Sequence, residues 1–576
     1  MISLSRLLAT LLLVPAIAGC STVPRQAKAP VEVGIIAIND FHGALEPPKQ
    51  AVFMADGKGG ALAVPAGGAA WLASAVEIVR AKYTNHLTVA AGDLISASPL
   101  ASSLYLDEPA VGVMNRIGLD FSAVGNHEFD RGRDEIQRMQ NGGCAKFTSR
   151  EPCAIERFTG AKYRYLSAST LTEDGKSLLG ATALRSFGSG RRKVTVGLIG
   201  LTLKGTAQIV VPDGIKGLTF VDEAATINAL VPKLKAQGAD AVVILIHQGG
   251  TQEPDTDPNG CAGFAGDIRA ILDQLDPRVD VVVSGHTHRA YVCDYAMLNP
   301  AKPFLLTSAG SLGRLVTDIS MSIDPATHRV VAKSAHNVIV QSQPYNGPKG
   351  EVASSAAYPQ FAPDPAVAAY VERYVAATRA YSDRLIGAVA GPASGRILGQ
   401  LIADAQLAAT RGAGAQIALM NPGGVRAALV PRDGGALTFG DIYATQPFGN
   451  TLVTQTLTGA ELRLAIEQSL ASETDPHNAI PSGGLSYVYD LRRPAGSRVM
   501  SVTFAGRPLE PATNYRVTTS NFLASGGDGY LALKGLREAV PGGVDLDALE
   551  AWLKASPPRM VPIVERTIDA AQPMAL

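Results

Sequence analysis

The sequence predicts an α/β fold in its first half and a smaller α+β domain in its second half. Short apolar runs such as residues 33–39 (VGIIAIN) and 241–246 (AVVILI) have no polar face. Such runs are typical of parallel strands in a sheet that is covered on both sides. Residues 67–80 carry apolar side chains at helical spacing, and a chain of 576 residues is long enough for two or three domains.

The net charge of the chain limits the kinds of molecule that we expect it to bind. Lys and Arg number 51, and so do Asp and Glu, which gives a formal net charge of zero. This neutrality argues against a nucleic-acid groove or a polybasic membrane surface. We therefore expect no nucleic-acid partner, while a small anion bound locally is still allowed.

The N-terminus has the composition of an export signal. One Arg precedes an apolar run that is too short to span a membrane and ends in small residues at Cys20. Residues 17–20 (IAGC) resemble the bacterial lipobox, which implies cleavage of residues 1–20, lipidation of Cys20 and a tether over residues 21–30. Ser21 favours, by the same resemblance, an outer-membrane anchor facing the periplasm or the cell surface. The alternative is a plain signal peptide with an incidental cysteine.

Four further cysteines are present: Cys144, Cys153, Cys261 and Cys293. An even number in an exported chain predicts disulfides, with three possible connectivities. A Cys144–Cys153 bond would close a short loop, and a Cys261–Cys293 bond would join the segments that follow two strands. A Zn(Cys)4 site is the alternative, but the CxxC spacing is missing.

Polar side chains follow five of the predicted strands of the first half, where α/β folds place their chemistry. The buried strand predicted at residues 193–200 is not among these five. In chain order, the strands are residues 33–39, 87–91, 119–124, 241–246 and 280–284. The side chains that follow them are Asp40 and His42, Asp93, Asn126 and His127, His247, and His286 and His288.

The distribution of histidine supports a metal site. Five of the nine histidines follow predicted strands, whereas His86, His328, His336 and His477 do not. Together with Asp40, Asp93 and Asn126 they supply enough ligands for two metal ions that share one carboxylate. The alternatives are a polar turn at residues 123–132 and a helix-capping role for Asp93.

A second domain is predicted after residue 388. Residues 341–365 are rich in Pro, Gly and Ser, and residues 364–387 have the spacing of a connecting helix whose aromatic residues pack. A helix (residues 398–410) and a strand (417–420) follow. Three motifs then contain glycines together with Arg, Asp or Phe: residues 421–426 (NPGGVR), 446–450 (QPFGN) and 520–530 (SNFLASGGDGY).

The ordered series DFH, GD, GNHEFD, H and GHTH resembles the calcineurin-like metallophosphoesterases. The second half extends this resemblance to the 5′-nucleotidase/UDP-sugar hydrolase family. The resemblance implies a four-layer αββα catalytic domain over residues 31–340, a linker and helix over 341–387, and a substrate domain over 388–565. One divalent ion, Zn²⁺, Mn²⁺ or similar, would bind to Asp40, His42, Asp93 and His288. The other would bind to Asp93, Asn126, His247 and His286.

The resemblance also implies the catalytic and substrate residues. His127, oriented by Asp130, would donate to the substrate phosphate. Phe448 and Phe522 would stack on the two faces of the base, Asp528 would bind the ribose, Asn421 the base or sugar, and Arg426 the phosphate. The alternative is that both Phe side chains are core and the glycines form turns. Residues 391–400 (GPASGRILGQ) depart from the family pattern, with Arg396 shifted and Gln400 in place of Asn. Either Arg396 would bind the phosphate from an altered position, or this phosphate contact is partly lost.

The activity implied by the resemblance is release of phosphate from nucleoside 5′-phosphates by a metal-activated hydroxide, in a monomer whose domains rotate to bring the nucleotide to the metals. Hydrolysis of 2′,3′-cyclic nucleotides or UDP-sugars at the same metals is an alternative. A surface lipoprotein that binds nucleotides without turnover is another.

Overall fold

The computed structural model describes residues 29–148, 150–210, 212–347, 350–472, 478–555 and 558–571. The predicted signal segment, Cys20 and residues 21–28 of the predicted tether lie outside these ranges. No helix within them combines the length and the apolar character that crossing a bilayer requires.

The first half of the described chain alternates strands and helices. Its strands are β1 Val31–Ile38, β2 Ala51–Ala55, β3 Ala61–Pro65, β4 His86–Ala90, β5 Phe121–Ala123, β6 Arg164–Leu166, β7 Thr170–Leu171, β8 Thr182–Phe187, β9 Val194–Thr202, β10 Thr219–Phe220, β11 Ala241–His247, β12 Val281–Ser284, β13 Ala290–Asp294, β14 Leu305–Ala309, β15 Leu315–Asp324, β16 Arg329–Ile339, β17 Tyr345–Gly347 and β18 Gly350–Val352. Its helices are α1 Ala69–Arg80, α2 Leu100–Ser103, α3 Glu108–Ile117, α4 Arg133–Asn141, α5 Thr206–Ile209, α6 Glu223–Ala236, α7 Ile268–Leu272 and α8 Pro365–Ser382.

Two six-stranded sheets form the centre of this domain. The first has the order β16-β15-β1-β4-β5-β6 and the second the order β13-β14-β12-β11-β9-β8. The strands that carry the predicted ligands, β1, β4 and β5 in one sheet and β11 and β12 in the other, run parallel to their neighbours in that group. The carboxyl ends of each group therefore meet at one edge of its sheet.

The sheets pack face to face and are covered by helices. Side chains such as Ile35 and Val89 of the first sheet meet Val243 and Val283 of the second in one buried cluster. Helices α1, α3 and α4 bury a second cluster against the outer face of the first sheet, and α6 and α7 bury a third against the second sheet. The predicted four-layer αββα arrangement is confirmed.

The second half forms an α+β domain. Its strands are β19 Leu385–Ala388, β20 Ile417–Met420, β21 Ala436–Thr438, β22 Thr451–Thr458, β23 Ile480–Pro481, β24 Leu485–Tyr489, β25 Val499–Phe504, β26 Arg507–Pro508, β27 Asn514–Ser520, β28 Val540–Val544 and β29 Thr567–Asp569. Its helices are α9 Gly395–Thr410, α10 Phe439–Thr445, α11 Gly459–Gln468, α12 Asn521–Ala524 and α13 Asp545–Lys554. The main sheets have the orders β23-β20-β27-β22-β28 and β26-β25-β24-β29.

The connecting helix α8 belongs by packing to the first domain. The Asp364 carboxylate caps its N-terminus by accepting from the backbone N–H groups of Ala366 and Val367. Tyr370 and Tyr374 are buried in the helix-side core of the first domain, so these aromatic residues pack as the sequence predicts. The helix ends at Ser382 rather than continuing to residue 387, because β19 pairs with β21 of the second domain.

Both disulfides of one predicted connectivity are present. Cys144 bonds to Cys153 within a short loop, and Cys261 bonds to Cys293 on β13. Since all four of these cysteines are paired, the Zn(Cys)4 alternative is wrong.

Candidate active site

The predicted ligands lie together at the carboxyl edge of the two central sheets. Asp40 and His42 follow β1, Asp93 follows β4, Asn126 follows β5, His247 ends β11, and His286 and His288 follow β12. Two clusters result, one of Asp40, His42 and His288 and one of Asp93, His247 and His286. Within each cluster the ligand atoms lie within 4.8 Å of one another.

A strained backbone aims these side chains. Asp40, His42, Asp93, His286 and His288 all have positive φ, between 47° and 72°. This left-handed region is uncommon for residues other than glycine, and such strain is typical of functional sites. Alternation along a continuing strand does not bring Asp40 and His42 together, since β1 ends at Ile38. The loop conformation brings these two side chains together instead.

In the first cluster, two imidazole nitrogens point at the same space. The Nε2 atoms of His42 and His288 are 3.1 Å apart, and His288 Nε2 lies 3.4 Å from Asp40 Oδ1. His42 Nδ1 donates to the carbonyl oxygen of Ser96 at 2.9 Å. Because a carbonyl can only accept, the proton sits on Nδ1 and the Nε2 lone pair is free for a metal.

The second cluster repeats this design. His247 Nδ1 lies 2.8 Å from the carbonyl oxygen of Ala91, which again leaves Nε2 facing the ligands. His247 Nε2 lies 3.0 Å from both Asn126 Oδ1 and Asp93 Oδ2. The ring of His286 completes the cluster, 5.2 Å from the His247 ring between centroids.

Asp93 lies between the two clusters. Its Oδ2 atom is 3.0 Å from His247 Nε2 and 3.8 Å from His42 Nε2, so one carboxylate faces both sets of ligands. Gly125 makes room for it, because a Cβ there would stand 2.1 Å from Asp93 Oδ1. The geometry therefore suits a carboxylate that bridges two cations.

Burial and neighbouring charges set the protonation states. Burial lowers the pKa of His286 to about 3, with His247 adding to the effect. Burial likewise holds the pKa of His42 well below its ordinary value, with Arg426 and His288 acting in the same sense. For Asp93, burial opposes ionisation, but His247, His127 and His42 together hold its pKa well below the ordinary value. For His247, burial lowers the pKa, but Asp93 and Asp40 outweigh it and raise the pKa to about 10. Neutral imidazoles and an ionised carboxylate are the forms that bind metals, so a cation has to displace the extra proton of His247.

This donor set fits two divalent ions. Buried aspartates, neutral imidazoles and an amide oxygen are ligands that Zn²⁺ and Mn²⁺ accept, and each His with a fixed tautomer presents its lone pair inward. Taken with the fold, the two clusters imply divalent metals. Which ion each cluster holds, and the full ligand set of each, stay predictions.

His127 and Asp130 form a hydrogen-bonded pair beside the clusters. His127 Nδ1 lies 2.8 Å from Asp130 Oδ2, and the His127 backbone N–H donates to Asp93 Oδ1 at 2.9 Å. Burial lowers the pKa of His127, but Asp130 and Asp93 outweigh it and the net pKa is raised. The hydrogen bond therefore fixes the orientation of the His127 ring, and the raised pKa favours its imidazolium form, which has two N–H groups.

The second domain contributes two side chains to this edge. An Nη atom of Arg426 is 3.4 Å from His42 Nε2, and the Phe448 ring stacks on the His127 ring with centroids 5.8 Å apart. The Arg426 guanidinium carbon is 5.7 Å from the centre of the Phe448 ring. A cation and an aromatic ring from one domain thus face the metal clusters of the other, beside a cleft of about 460 Å³.

The remaining predicted substrate residues divide into two groups. Asn421 donates from its amide to Asp528 at 2.7 Å, which joins two of the predicted motifs, and Phe522 lies partly buried against the second-domain core. Arg396 instead donates to Thr567 and lies 3.4 Å from the Tyr489 hydroxyl. The geometry favours Arg426 over Arg396 as the phosphate-binding arginine.

Sequence reasoning gave no role to two residues that the structure singles out. Glu128 accepts backbone N–H groups from Asp93, Leu94 and Gly125 at 2.6–2.9 Å, so one carboxylate ties the loops of two strands together. Its place in the GNHEFD motif was the available signal. Gln446 is buried, and neither polar atom of its amide has a hydrogen-bond partner within the described chain. Such an amide is costly to bury unsatisfied, so Gln446 is a further candidate for contact with a ligand.

The fold and paired clusters define a calcineurin-like phosphoesterase domain. The family model "Calcineurin-like phosphoesterase" matches residues 34–290, and the model "5′-nucleotidase, C-terminal domain" matches residues 382–535. The chain belongs to the 5′-nucleotidase/UDP-sugar hydrolase family, which joins these two domains.

Individual relatives agree with this assignment and show its breadth. The chain is 29% identical to Endonuclease YhcR of Bacillus subtilis over 91% of its own length but only 40% of that protein's length. It is 24% identical to a probable 5′-nucleotidase of Treponema pallidum over 90% of each chain. The crystal structure of a 5′-nucleotidase precursor from Thermus thermophilus superposes with a TM-score of 0.73 at 26% identity, over 94% of this chain and all of that one.

Proposed function

We propose that this protein is an exported, metal-dependent 5′-nucleotidase that releases phosphate from nucleoside 5′-phosphates. The main observation behind the proposal is that two side chains of the second domain contact histidines at the metal clusters of the first domain. Arg426 lies 3.4 Å from a metal-cluster imidazole, and Phe448 stacks on His127. These contacts support the proposal, because a guanidinium suits a phosphate and an aromatic ring suits a base, and both groups lie within one small ligand's reach of the metal clusters.

Two divalent ions bound to the clusters would supply Lewis acidity and lower the pKa of a water near the phosphate. Asp93 would hold both ions, while Asp40, His42 and His288 complete one set of ligands and Asn126, His247 and His286 the other. Glu128 fixes the loops from which Asp93 and Asn126 project. The residues thus provide a rigid, preorganised frame for the phosphate.

His127 would act on the substrate phosphate directly. With Nδ1–H donating to Asp130, only the imidazolium form also has an Nε2–H to donate to a phosphate oxygen. Asp130 favours that form by raising the pKa of His127. Arg426 adds a second, permanent positive charge. Both groups would stabilise the charge that develops on the phosphate in the transition state.

The nucleoside would be held by the second domain. Phe448 and Phe522 would stack on the base, and Asp528, already oriented by Asn421, would accept hydrogen bonds from the ribose hydroxyls. Gln446 is our addition to this set, since its buried amide lacks a partner within the described residues.

The test uses the metal-stripped chain from residue 21 onward, with and without Mn²⁺ or Zn²⁺. It measures phosphate release and also separates the products by chromatography, which detects cleavage that frees no phosphate. Substrates are AMP, other nucleoside 5′-phosphates, 2′,3′-cyclic AMP, a UDP-sugar and p-nitrophenyl phosphate. We expect metal-dependent release from 5′-phosphates, loss of it in Asp93→Ala and no change in His336→Ala, which alters an exposed histidine outside the clusters. Cleavage of cyclic nucleotides or UDP-sugars alone, or binding without release, would contradict the proposal.

We also propose that the protein is exported, anchored by a lipid at Cys20, and monomeric. The two disulfides support an oxidising compartment. Labelled palmitate should be incorporated by the wild type and not by Cys20→Ser. Incorporation by both proteins, or by neither, would contradict the anchor.

A further inference from the structure

A buried hydrogen-bonded contact joins the two domains away from the metal clusters. The hydroxyl groups of Tyr443 on α10 and Ser103 on α2 are 2.6 Å apart. Arg150 donates to the same Tyr443 hydroxyl at 3.0 Å and to both the carbonyl and the hydroxyl of Ser103. Ser103 and Tyr443 are only 2% and 5% exposed, so solvent competes little with these bonds.

Apolar packing surrounds this contact. Leu100 on α2 is buried within the core cluster of the second domain rather than that of its own. Leu104 packs against the core clusters of both domains. The contact is therefore part of a closely packed interface, in which the displacement of one group also displaces the groups packed against it.

Arg150 is presented by the loop that the Cys144–Cys153 disulfide closes. Both ends of this loop are fixed to a buried ion pair of Arg138 and Glu108, whose atoms are 2.7 Å apart. Arg138 donates to the carbonyl oxygen of Gly143 at 2.9 Å, and the Cys153 N–H donates to Glu108 at 3.0 Å. The first domain thus holds the base of the loop while Arg150 extends to the second domain.

The contact is linked to the nucleotide side of the site through α10. Thr445, the last residue of this helix, accepts from the backbone N–H of Arg426 at 2.9 Å. Phe448 follows three residues later. A shift of Tyr443 would therefore move Arg426 and Phe448 relative to the metal clusters.

The other side of the contact is rigid and leads to the metal loop. Asp107 accepts from the Ser102 hydroxyl at 2.6 Å and from the backbone N–H of Ser96 at 3.0 Å. Ser96 in turn orients His42 through its carbonyl oxygen. The helix that carries Ser103 is thus bonded to the loop that supports the first metal cluster.

We propose that Tyr443, Ser103 and Arg150 form an interdomain clamp that positions Arg426 and Phe448 at the metal clusters, with the Cys144–Cys153 loop presenting Arg150. These are positioning residues, since none of them touches the metal clusters. The activity tests rest on the proposed nucleotidase function.

The first test removes single groups from the full metal-loaded chain. Tyr443→Phe and Arg150→Ala should each raise the KM for AMP about fivefold to tenfold, which corresponds to the loss of one or two net hydrogen bonds. The kcat/KM for p-nitrophenyl phosphate should fall less than that for AMP, because this substrate uses Arg426 but has no base to stack on Phe448. The metal content should not change. The double variant should be no worse than the worse single variant, because both act through one contact. An unchanged KM for AMP, or additive effects, would overturn the clamp.

Matched variants separate a positioning effect of the clamp from a general loss of protein stability. Cys144→Ser/Cys153→Ser should reproduce the effect of Arg150→Ala, whereas Cys261→Ser/Cys293→Ser should leave the KM for AMP unchanged. Arg150→Lys should restore part of the loss, since an ammonium can still donate to Tyr443. Equal effects of the two disulfide variants, or no rescue by Lys, would contradict the proposal.

A structural readout keeps the clamp testable if the wild type cleaves no nucleotide. In that case the proposed function fails, and small-angle scattering of the nucleotide-free protein decides on the clamp alone. Tyr443→Phe/Arg150→Ala should increase the radius of gyration relative to the wild type. Superimposable scattering curves would overturn the clamp independently of any activity.

Discussion

The two sides of the candidate site are built in different ways. The metal side comes from one domain, where loops at the ends of five strands hold their ligands through left-handed backbone and bonds to Ser96, Ala91 and Glu128. The nucleotide side comes from the other domain and reaches the metals only across an interface. Metal binding should therefore be robust to changes at the interface, whereas substrate binding and the contribution of Arg426 should depend on it.

Removing the shared carboxylate should have the largest effect. Asp93→Ala leaves both clusters without their common ligand, so we expect kcat to fall by about 10³-fold or more for AMP and for p-nitrophenyl phosphate alike. Bound metal, measured by elemental analysis, should fall from two ions toward one or none. Full activity on either substrate would contradict a shared metal ligand.

Weakening the support of the metal side should have the next largest effect. Glu128→Gln keeps one acceptor oxygen but turns an amide N–H₂ toward a backbone N–H, so the loops of Asp93 and Asn126 lose a bond. We expect metal affinity to fall about 10- to 100-fold, as for other outer-shell changes. Metal titrations of activity measure this directly.

Glu467→Gln is the matched control for that change. Glu467 is also a buried carboxylate that accepts backbone N–H groups, from Arg498 and Val499 at 2.7 Å, but it lies in the second domain. The Glu467→Gln substitution should lower the melting temperature and leave the metal affinity unchanged. If both variants lose metal equally, Glu128 has no special link to the clusters.

Changes on the nucleotide side should separate the two substrates. Phe448→Ala should raise the KM for AMP about 10- to 100-fold, as expected for a lost base–aromatic stack, and spare p-nitrophenyl phosphate. Phe53→Ala, which removes an exposed ring on β2, serves as the control. Equal losses on both substrates would place Phe448 in the chemistry instead of in recognition.

The smallest expected effect is a shift in pH dependence. Burial lowers the pKa of His127, but in the metal-free protein Asp130 and Asp93 outweigh it and raise the pKa. With cations bound to Asp93, Asp130 is the charge that maintains the imidazolium, which is lost as pH rises through the pKa of His127. Asp130→Asn removes one of these charges and lowers the pKa. The alkaline limb of the kcat profile should then move to lower pH. A limb that stays in place, or moves to higher pH, would contradict the role of His127 as a charged donor.

The sequence predicts the metal side well because its signal is local. Polar residues at the ends of apolar strands must meet at one sheet edge once those strands are parallel, so the clustering of Asp40, Asp93 and Asn126 follows from pattern alone. The approach of His247 depends in addition on how the second sheet packs on the first. The backbone conformations of Asp40 and His42 and the three bonds of Glu128 do not follow from it. They depend on how neighbouring loops fit together.

The interdomain side is less predictable for the same reason. Nothing in the residues around Arg396 or Arg426 says which arginine will face the metals, because that depends on how one domain sits on the other. Tyr443 and Arg150 are 293 residues apart and meet only at the interface. Their sequence surroundings carry no motif that would have indicated the contact.

The most direct test is a crystal structure with Mn²⁺ and a non-hydrolysable AMP analogue. We predict two ions, with Asp93 bound to both, the phosphate between His127 and Arg426, and the base against Phe448. A single ion, or a nucleotide bound away from Arg426 and Phe448 while both ions are present, would contradict the claim that the two domains meet to form one nucleotidase site.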